Sequence, residues 1–217
     1  MNKDYYIVNL IDKFNESMTP VNYDLPIYRR NPIIDDKLTL NHPEMIELFC
    51  RLLKPKNYLE MGTQYGETLK RILPIALKCY AVDVEKTIYL TELKTKYKER
   101  LNFYETTTSN FLVNILPKLK INFDCVFIDA DHTHQASLSD FVSILPFVNE
   151  DGLIFLHDTY PASVELAKPR FCGDSYKTAE YIRKNYSNQC EILTLPFNPG
   201  LSIIRKCTKQ MLWLDKQ

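Results

Sequence analysis

Short apolar runs recur along residues 57–205, each ending in a polar or acidic residue and followed by a stretch with helical spacing. Val126-Phe127-Ile128 and Leu153-Ile154-Phe155-Leu156 are apolar without alternation, as strands covered on both faces should be. This pattern predicts strands at 57–61, 79–83, 101–105, 123–128, 152–156, 190–195 and 201–205, and helices at 66–77, 86–99, 109–118, 134–146 and 175–186. Pro74 should shorten or kink the first of these helices. An earlier helix is expected from Asn41 as cap through Leu53, with Glu44 three residues on and Met45, Leu48, Phe49 and Leu52 as its apolar face. Alternating strands and helices imply an α/β fold: a doubly wound sheet of seven strands, mostly parallel, with helices on both faces. The turn signal Phe197-Asn198-Pro199-Gly200 adds an antiparallel C-terminal hairpin at the sheet edge. Residues 1–40 are irregular, with Pro20, Pro26 and Pro32 among scattered tyrosines. The chain is therefore read as an N-terminal arm and cap helix over 1–54 on a single compact domain over 55–217.

In such a sheet ligands sit beyond the carboxyl ends of the strands. Those ends carry Glu60, Asp83, Asp129 and His157-Asp158. The chain has only five glycines, and two of them lie four residues apart in Glu60-Met61-Gly62-Thr63-Gln64-Tyr65-Gly66. A strand, a glycine turn and a helix start build a loop whose free N–H groups face a ligand. The spacing is not the G-x-G-x-x-G of NAD or FAD sites, which points away from redox chemistry and toward S-adenosylmethionine. Asp83 follows the next strand, where a carboxylate can accept both hydroxyls of a ribose, with Glu85 as a nearby competitor. Two further clusters are Asp129-Ala130-Asp131-His132-Thr133-His134 and His157-Asp158-Thr159. If their strands are neighbours, Asp129 and Asp158 converge on one hollow, a hard oxygen site suited to Mg²⁺ or Ca²⁺. His42, before Pro43, reads as a capping or surface residue.

Composition narrows the partners. Twenty-seven basic residues balance twenty-seven acidic ones with no basic stripe, so nucleic acid is not expected as the main partner. Six cysteines are scattered without a C-x-x-C pair and read as buried thiols. The start lacks the apolar run of a signal peptide and no segment is long enough to span a membrane. A cytoplasmic protein with no membrane partner is expected.

Glu60–Gly66, Val82-Asp83, Phe127–Asp131 and Leu156–Thr159 together resemble the class I S-adenosylmethionine-dependent methyltransferases. More narrowly they are similar to small-molecule O-methyltransferases of the catechol and caffeoyl-CoA type and to bacterial sugar and macrolide relatives. The resemblance covers about 55–206 and implies a Rossmann-like domain. It implies that Glu60, Gly62, Thr63, Gln64 and Gly66 line the methionine part of the cofactor, that Asp83 holds its ribose and that Asp129 borders it. The adenine would lie at Thr107-Thr108-Ser109, where relatives often carry an acid, leaving Thr108 and Ser109 as the contacts. A divalent cation, Mg²⁺ or another, would be held by Asp129 and Asp158, with Thr159 where relatives have Asn. His132 stands where relatives carry a lysine base, and an imidazole is a competent base near neutral pH. The implied activity is methyl transfer to a hydroxyl of a small molecule or sugar. Read from its own residues, the aperiodic Tyr160–Asp174 is a lid or substrate loop, Arg170 is a solvated loop residue or a contact for an anionic substrate, and the arm is a cover, packing over the sheet edge or a homodimer contact. Alternatives are an aminopropyl transferase, a hydroxylase-like relative and a binding protein that keeps the cofactor fold without turnover.

Overall fold

In the computed structural model, residues 41–197 and 199–208 are described; the arm expected over 1–40 lies outside them. Helix α1 (His42–Leu53) leads into seven strands: β1 (Asn57–Met61), β2 (Lys78–Asp83), β3 (Leu101–Glu105), β4 (Phe123–Ile128), β5 (Val148–His157), β6 (Cys190–Leu195) and β7 (Leu201–Lys206). Between them lie α2 (Glu67–Ile72), α3 (Ile88–Tyr97), α4 (Thr108–Asn110), α5 (Leu116–Leu119), α6 (His134–Ile144) and α7 (Tyr176–Asn185). The strand order is β3-β2-β1-β4-β5-β7-β6. The first five strands are parallel, and β7 pairs antiparallel with both β5 and β6.

Alternation along the strands divides the core in two. Leu59, Met61, Val82, Val126, Ile128, Ile154 and Leu156 face Phe111, Leu116, Phe141, Ile144 and Ile182 from the helical segments α4 to α7. Tyr58, Cys79, Ala81, Cys125, Phe127 and Phe155 face Ile46, Cys50, Leu69, Ile72 and Leu90 from α1, α2 and α3. Both faces are dry, which is why the strands read as continuous apolar runs. The order reverses between β1 and β4, so the loops after these strands open the crevice where an α/β sheet binds its ligand.

Local chemistry explains where elements differ from expectation. Helix α2 stops at Ile72: Leu73 still has helical backbone and bonds Leu69 O, but Pro74 has no N–H to continue the ladder to Lys70 O. The expected helix 109–118 is interrupted: Phe111–Ile115 widens into a π-turn ahead of Pro117, whose ring nitrogen has no proton for an i−4 carbonyl. Strand β5 begins four residues early, because Val148 pairs with Phe123 before a register shift that passes over the exposed Glu150 and Asp151. In α1 the expected face is rotated. Ile46 and Cys50 are buried, whereas Leu52 is 72% exposed and Leu48 47%. Asn41 precedes the helix but its side chain forms no cap; its Oδ1 is buried without a partner, and Pro43 in the first turn sets the helix start instead. Two glutamates of α1, Glu44 and Glu47, tie it to α2 through Arg71 at 2.5 and 2.9 Å. No helix among the described residues is long and apolar enough to cross a membrane.

Candidate functional site

The glycine loop after β1 is shaped by contact with the next motif. Gly62 takes φ +85°, and a Cβ there would stand 2.2 Å from the carbonyl oxygen of Asp129. The ladder explains this approach: Asp129 N–H donates to Met61 O and Gly62 N–H to Val82 O, each at 2.9 Å. Gln64 also adopts positive φ, and its N–H donates to Asp83 Oδ2 at 2.7 Å. Glu85 N–H donates to Asp83 Oδ1 at 3.1 Å, so two backbone amides orient the Asp83 carboxylate and leave each oxygen a further lone pair. Glu85 thus serves Asp83 through its backbone. Thr63 Oγ1 is buried with no partner in this loop, a polar atom placed to meet a ligand. Thr108 and Ser109 open α4 behind the capping Thr107, with Ser109 exposed and Thr108 beside Asp140, whose carboxyl is pushed up by burial against the opposing effect of Thr108.

Glu60, 1% exposed, is the most perturbed acid of the loop. Burial pushes it up to about 8; the Tyr58 hydroxyl, donating at 2.8 Å, opposes the shift, and the charges of Asp129 and Asp83 add to it. The consequence is a sign for stability. A carboxyl raised from its ordinary range contributes stability that is complete below about 4.5 and is lost as pH rises through about 8. One such proton is worth about 1.4 kcal/mol per pH unit inside that window. We expect the urea midpoint of the ligand-free protein to fall between pH 5 and 8.5, and Glu60→Gln to flatten part of that fall; parallel curves for the two proteins would contradict the assignment.

The second centre forms where β4 and β5 end side by side, with Ile128 paired to Leu156. One ligand atom each from Asp129, His132 and Asp158 lie within 4.8 Å of one another. Asp158 is 1% exposed with φ +58°, and neither of its carboxylate oxygens has a hydrogen-bond partner. His132 Nδ1 is 3.0 Å from Oδ2 but bonds Phe171 O, and the neighbouring Cys172 thiol favours the charged form of Asp158. Burial holds the Asp158 carboxyl above its ordinary range despite His157 and His132 nearby. His157 is fully enclosed and bonds Asp129 Oδ1 through Nδ1 at 2.8 Å. Burial alone would lower its pKa, yet Asp129 and Asp158 outweigh burial and raise it to about 9. His42 packs on this ring at 4.0 Å between centroids and on Phe127 at 5.7 Å; burial and the neighbouring His157 hold its pKa down. Three of the chain's four histidines therefore gather at the two carboxylates, and the surface role expected of His42 is corrected. Its position is set by the helix start stacking over β4 and β5, which no local spacing reveals.

A strap formed by the loop after β5 fixes His132. The ring Nδ1 bonds Phe171 O; since a carbonyl only accepts, Nδ1 carries a proton, and in the neutral ring Nε2, 3.8 Å from Asp129 Oδ1, keeps the lone pair. Asp174 N–H donates to His132 O at 3.0 Å, and Asp174 Oδ1 accepts from His134 N–H at 2.6 Å. Gly173, at φ +57°, allows the close approach: a Cβ there would be 2.0 Å from His132 O. Burial opposes protonation of His132, but Asp158, Asp129 and the Phe171 carbonyl together raise its pKa. His134 begins α6 and turns toward Thr178 at 2.8 Å, away from the carboxylates. The His157-Asp158-Thr159 cluster is legible at its strand end, but sequence spacing does not point to Phe171 or Cys172 as partners of this centre; the one signal is Gly173, a rare glycine in an aperiodic loop.

Residues 59–159 match the family model described as a methyltransferase domain. This is a class I methyltransferase fold. Among solved structures, the O-methyltransferase from Bacillus cereus in complex with S-adenosylhomocysteine matches with TM-score 0.64 and 14% identity, over 95% of this chain and 92% of that one. The S-adenosylhomocysteine-bound methyltransferase of Podospora anserina matches with TM-score 0.62 and 17% identity over 95% and 97%. An rRNA methylase from Streptococcus thermophilus matches with TM-score 0.57 and 12% identity over 78% and 99%. At these identities the likeness is one of fold. No curated protein sequence matches the chain. The domain thus has the mostly parallel seven-stranded sheet and the antiparallel C-terminal strands expected from the sequence.

Proposed function

We propose that the protein is an S-adenosylmethionine-dependent methyltransferase that methylates a hydroxyl of a small molecule, assisted by a divalent cation. One observation carries this reading: Asp129, His132 and Asp158 converge at the strand ends next to the glycine loop, with His132 Nδ1 turned to Phe171 O so that the neutral ring presents Nε2 to the centre. S-adenosylmethionine supplies an electrophilic methyl, with Glu60, Gly62, Thr63, Gln64 and Gly66 along its methionine part, Asp83 on its ribose, and Thr108 and Ser109 at the adenine end. Asp83 suits the ribose because both its oxygens are pre-oriented by backbone amides. The orphaned Thr63 hydroxyl suits a polar atom of the same ligand.

The donor set also fits a cation, since the buried Asp158 oxygens lack partners and Asp129 stands within reach. Asp129 and Asp158 would hold it, with Thr159 adjacent in the chain, and it would lower the pKa of an acceptor hydroxyl. His132 Nε2 takes the hydroxyl proton as general base, while Phe171 O keeps the ring from turning. His157 fixes the Asp129 carboxylate by its Nδ1–H. Burial of His157, Asp158 and Thr63 keeps competing water from the centre.

Calorimetric titration with S-adenosylhomocysteine, in Mg²⁺ and again in EDTA, tests the reading. Micromolar binding that Asp158→Asn makes insensitive to Mg²⁺ is the expected result. Absence of binding in both buffers would remove the methyl-transfer reading.

A further inference from the structure

A chain of hydrogen bonds links the surface of α7 to the end of β5, and its proton directions are determined. Arg183 Nη2 donates to Thr194 Oγ1 at 3.1 Å. Thr194 and Ser202, cross-strand partners on β6 and β7, bond through their hydroxyls at 2.8 Å. Ser202 Oγ donates to Thr159 Oγ1 at 2.9 Å. A guanidinium only donates, and each hydroxyl has one proton. Because Ser202 spends its proton on Thr159, Thr194 must donate to Ser202. The single unassigned proton of the row is that of Thr159, 5% exposed and immediately after Asp158. Its hydroxyl has accepted a bond from a row headed by a cation, which strengthens it as a donor.

Thr159 lines a cavity of about 420 Å³ between the loop after β5 and α7. The walls include Tyr160, Pro161, Val164 and Tyr176; Arg183 and Glu180 stand on the α7 side. Tyr160 and Val164 are exposed apolar side chains at 51% and 80%, surface that a ligand would cover. Arg183 and Thr159 stand at opposite ends of a row of three hydrogen bonds and both line the cavity, so a ligand with two polar groups can meet both donors. Arg183 uses one N–H on Thr194 and keeps others for a partner outside the row. Glu180 discourages a second negative charge.

We propose that this cavity binds an apolar, ring-sized monoanion, its carboxylate at Arg183 and an oxygen acceptor at the Thr159 hydroxyl. The volume lies in the range of small-molecule sites, and the aromatic walls suit a planar body. The inference deepens the methyl-transfer reading and rests on it for one point: that the oxygen met by Thr159, beside Asp158, is the one methylated. Thr159 then acts as a specificity-determining residue, donating to an oxygen lone pair.

Binding of 4-hydroxybenzoate to the full chain by calorimetry, with and without S-adenosylhomocysteine, tests this. We expect saturable binding, at least tenfold weaker for the neutral 4-hydroxybenzamide and for the dianion terephthalate. Arg183→Gln should weaken 4-hydroxybenzoate at least tenfold and 4-hydroxybenzamide far less, since only the acid loses an ionic partner. Thr159→Val should weaken both, and Thr159→Ser, which keeps the hydroxyl, should restore them. Arg183 is exposed, so its variant tests the anion contact even if Thr159→Val fails to fold. Equal affinity for acid and amide, indifference to Arg183→Gln, or no saturable binding would overturn the proposal. If S-adenosylhomocysteine binds and 4-hydroxybenzoate does not, the ligand class is wrong and the methyl-transfer reading stands. If 4-hydroxybenzoate binds and S-adenosylhomocysteine does not, the cavity assignment stands and the acceptor role falls.

Discussion

His132→Gln is expected to slow methyl transfer by about 10²–10⁴, the usual contribution of a positioned general base, while S-adenosylhomocysteine binds as before. The amide side chain approximates the imidazole in reach and can still donate to Phe171 O, so the strap from the loop after β5 should stay in place. What is lost is the basic lone pair that Nε2 holds beside Asp129. Asp158 also loses a basic neighbour, but its burial already keeps its carboxyl above the ordinary range, so the change there adds to an existing tendency. Single-turnover transfer to an accepted hydroxyl substrate reads the effect directly. A variant within about a factor of ten of the parent rate would assign the proton to another acceptor.

Gly62→Ala should be the more damaging change, because two penalties fall on one atom. The residue needs φ +85°, which a Cβ resists, and that Cβ would sit 2.2 Å from Asp129 O, 2.4 Å from its carbonyl carbon and 2.5 Å from Ala130 Cα. All three are backbone, and the neighbouring ladder bonds Asp129 N–H to Met61 O and Gly62 N–H to Val82 O hold them there. Relief requires the β1 loop and the end of β4 to part, which moves the glycine loop and Asp129 together. A displacement of about 1 Å can cost on the order of 10² in rate. Destabilisation above about 1 kcal/mol is expected from the backbone conformation alone. Cofactor affinity, transfer rate and thermal midpoint should all fall. Loss of affinity with an unchanged midpoint would locate the effect in ligand contact and not in this backbone crossing.

The strands were legible because their chemistry is local. Both faces of β1, β2, β4 and β5 are dry, so the burial requirement is written as uninterrupted apolar runs, and Pro74 marks the end of α2 in the same direct way. Helix α1 was legible as a helix and misread in its orientation. Its Leu48 and Leu52 share a plausible stripe, but the sheet it lies on accepts Ile46 and Cys50 beside Tyr58 and Cys125. Helical periodicity offers faces; the partner surface chooses among them.

The alternating α/β order, the glycine loop and the acids at four strand ends are written locally, because each depends on the backbone conformation or burial of a few adjacent residues. Only the folded sheet stacks His42 on His157, 115 positions away, and carries His157 to Asp129 and Phe171 to His132. It likewise joined Arg183, Thr194, Ser202 and Thr159 into one row with a determined proton order. Such contacts follow from strand order and register, which place β4 beside β5 and β7 between β5 and β6; they are a property of the assembled sheet and leave no mark in any local stretch of residues.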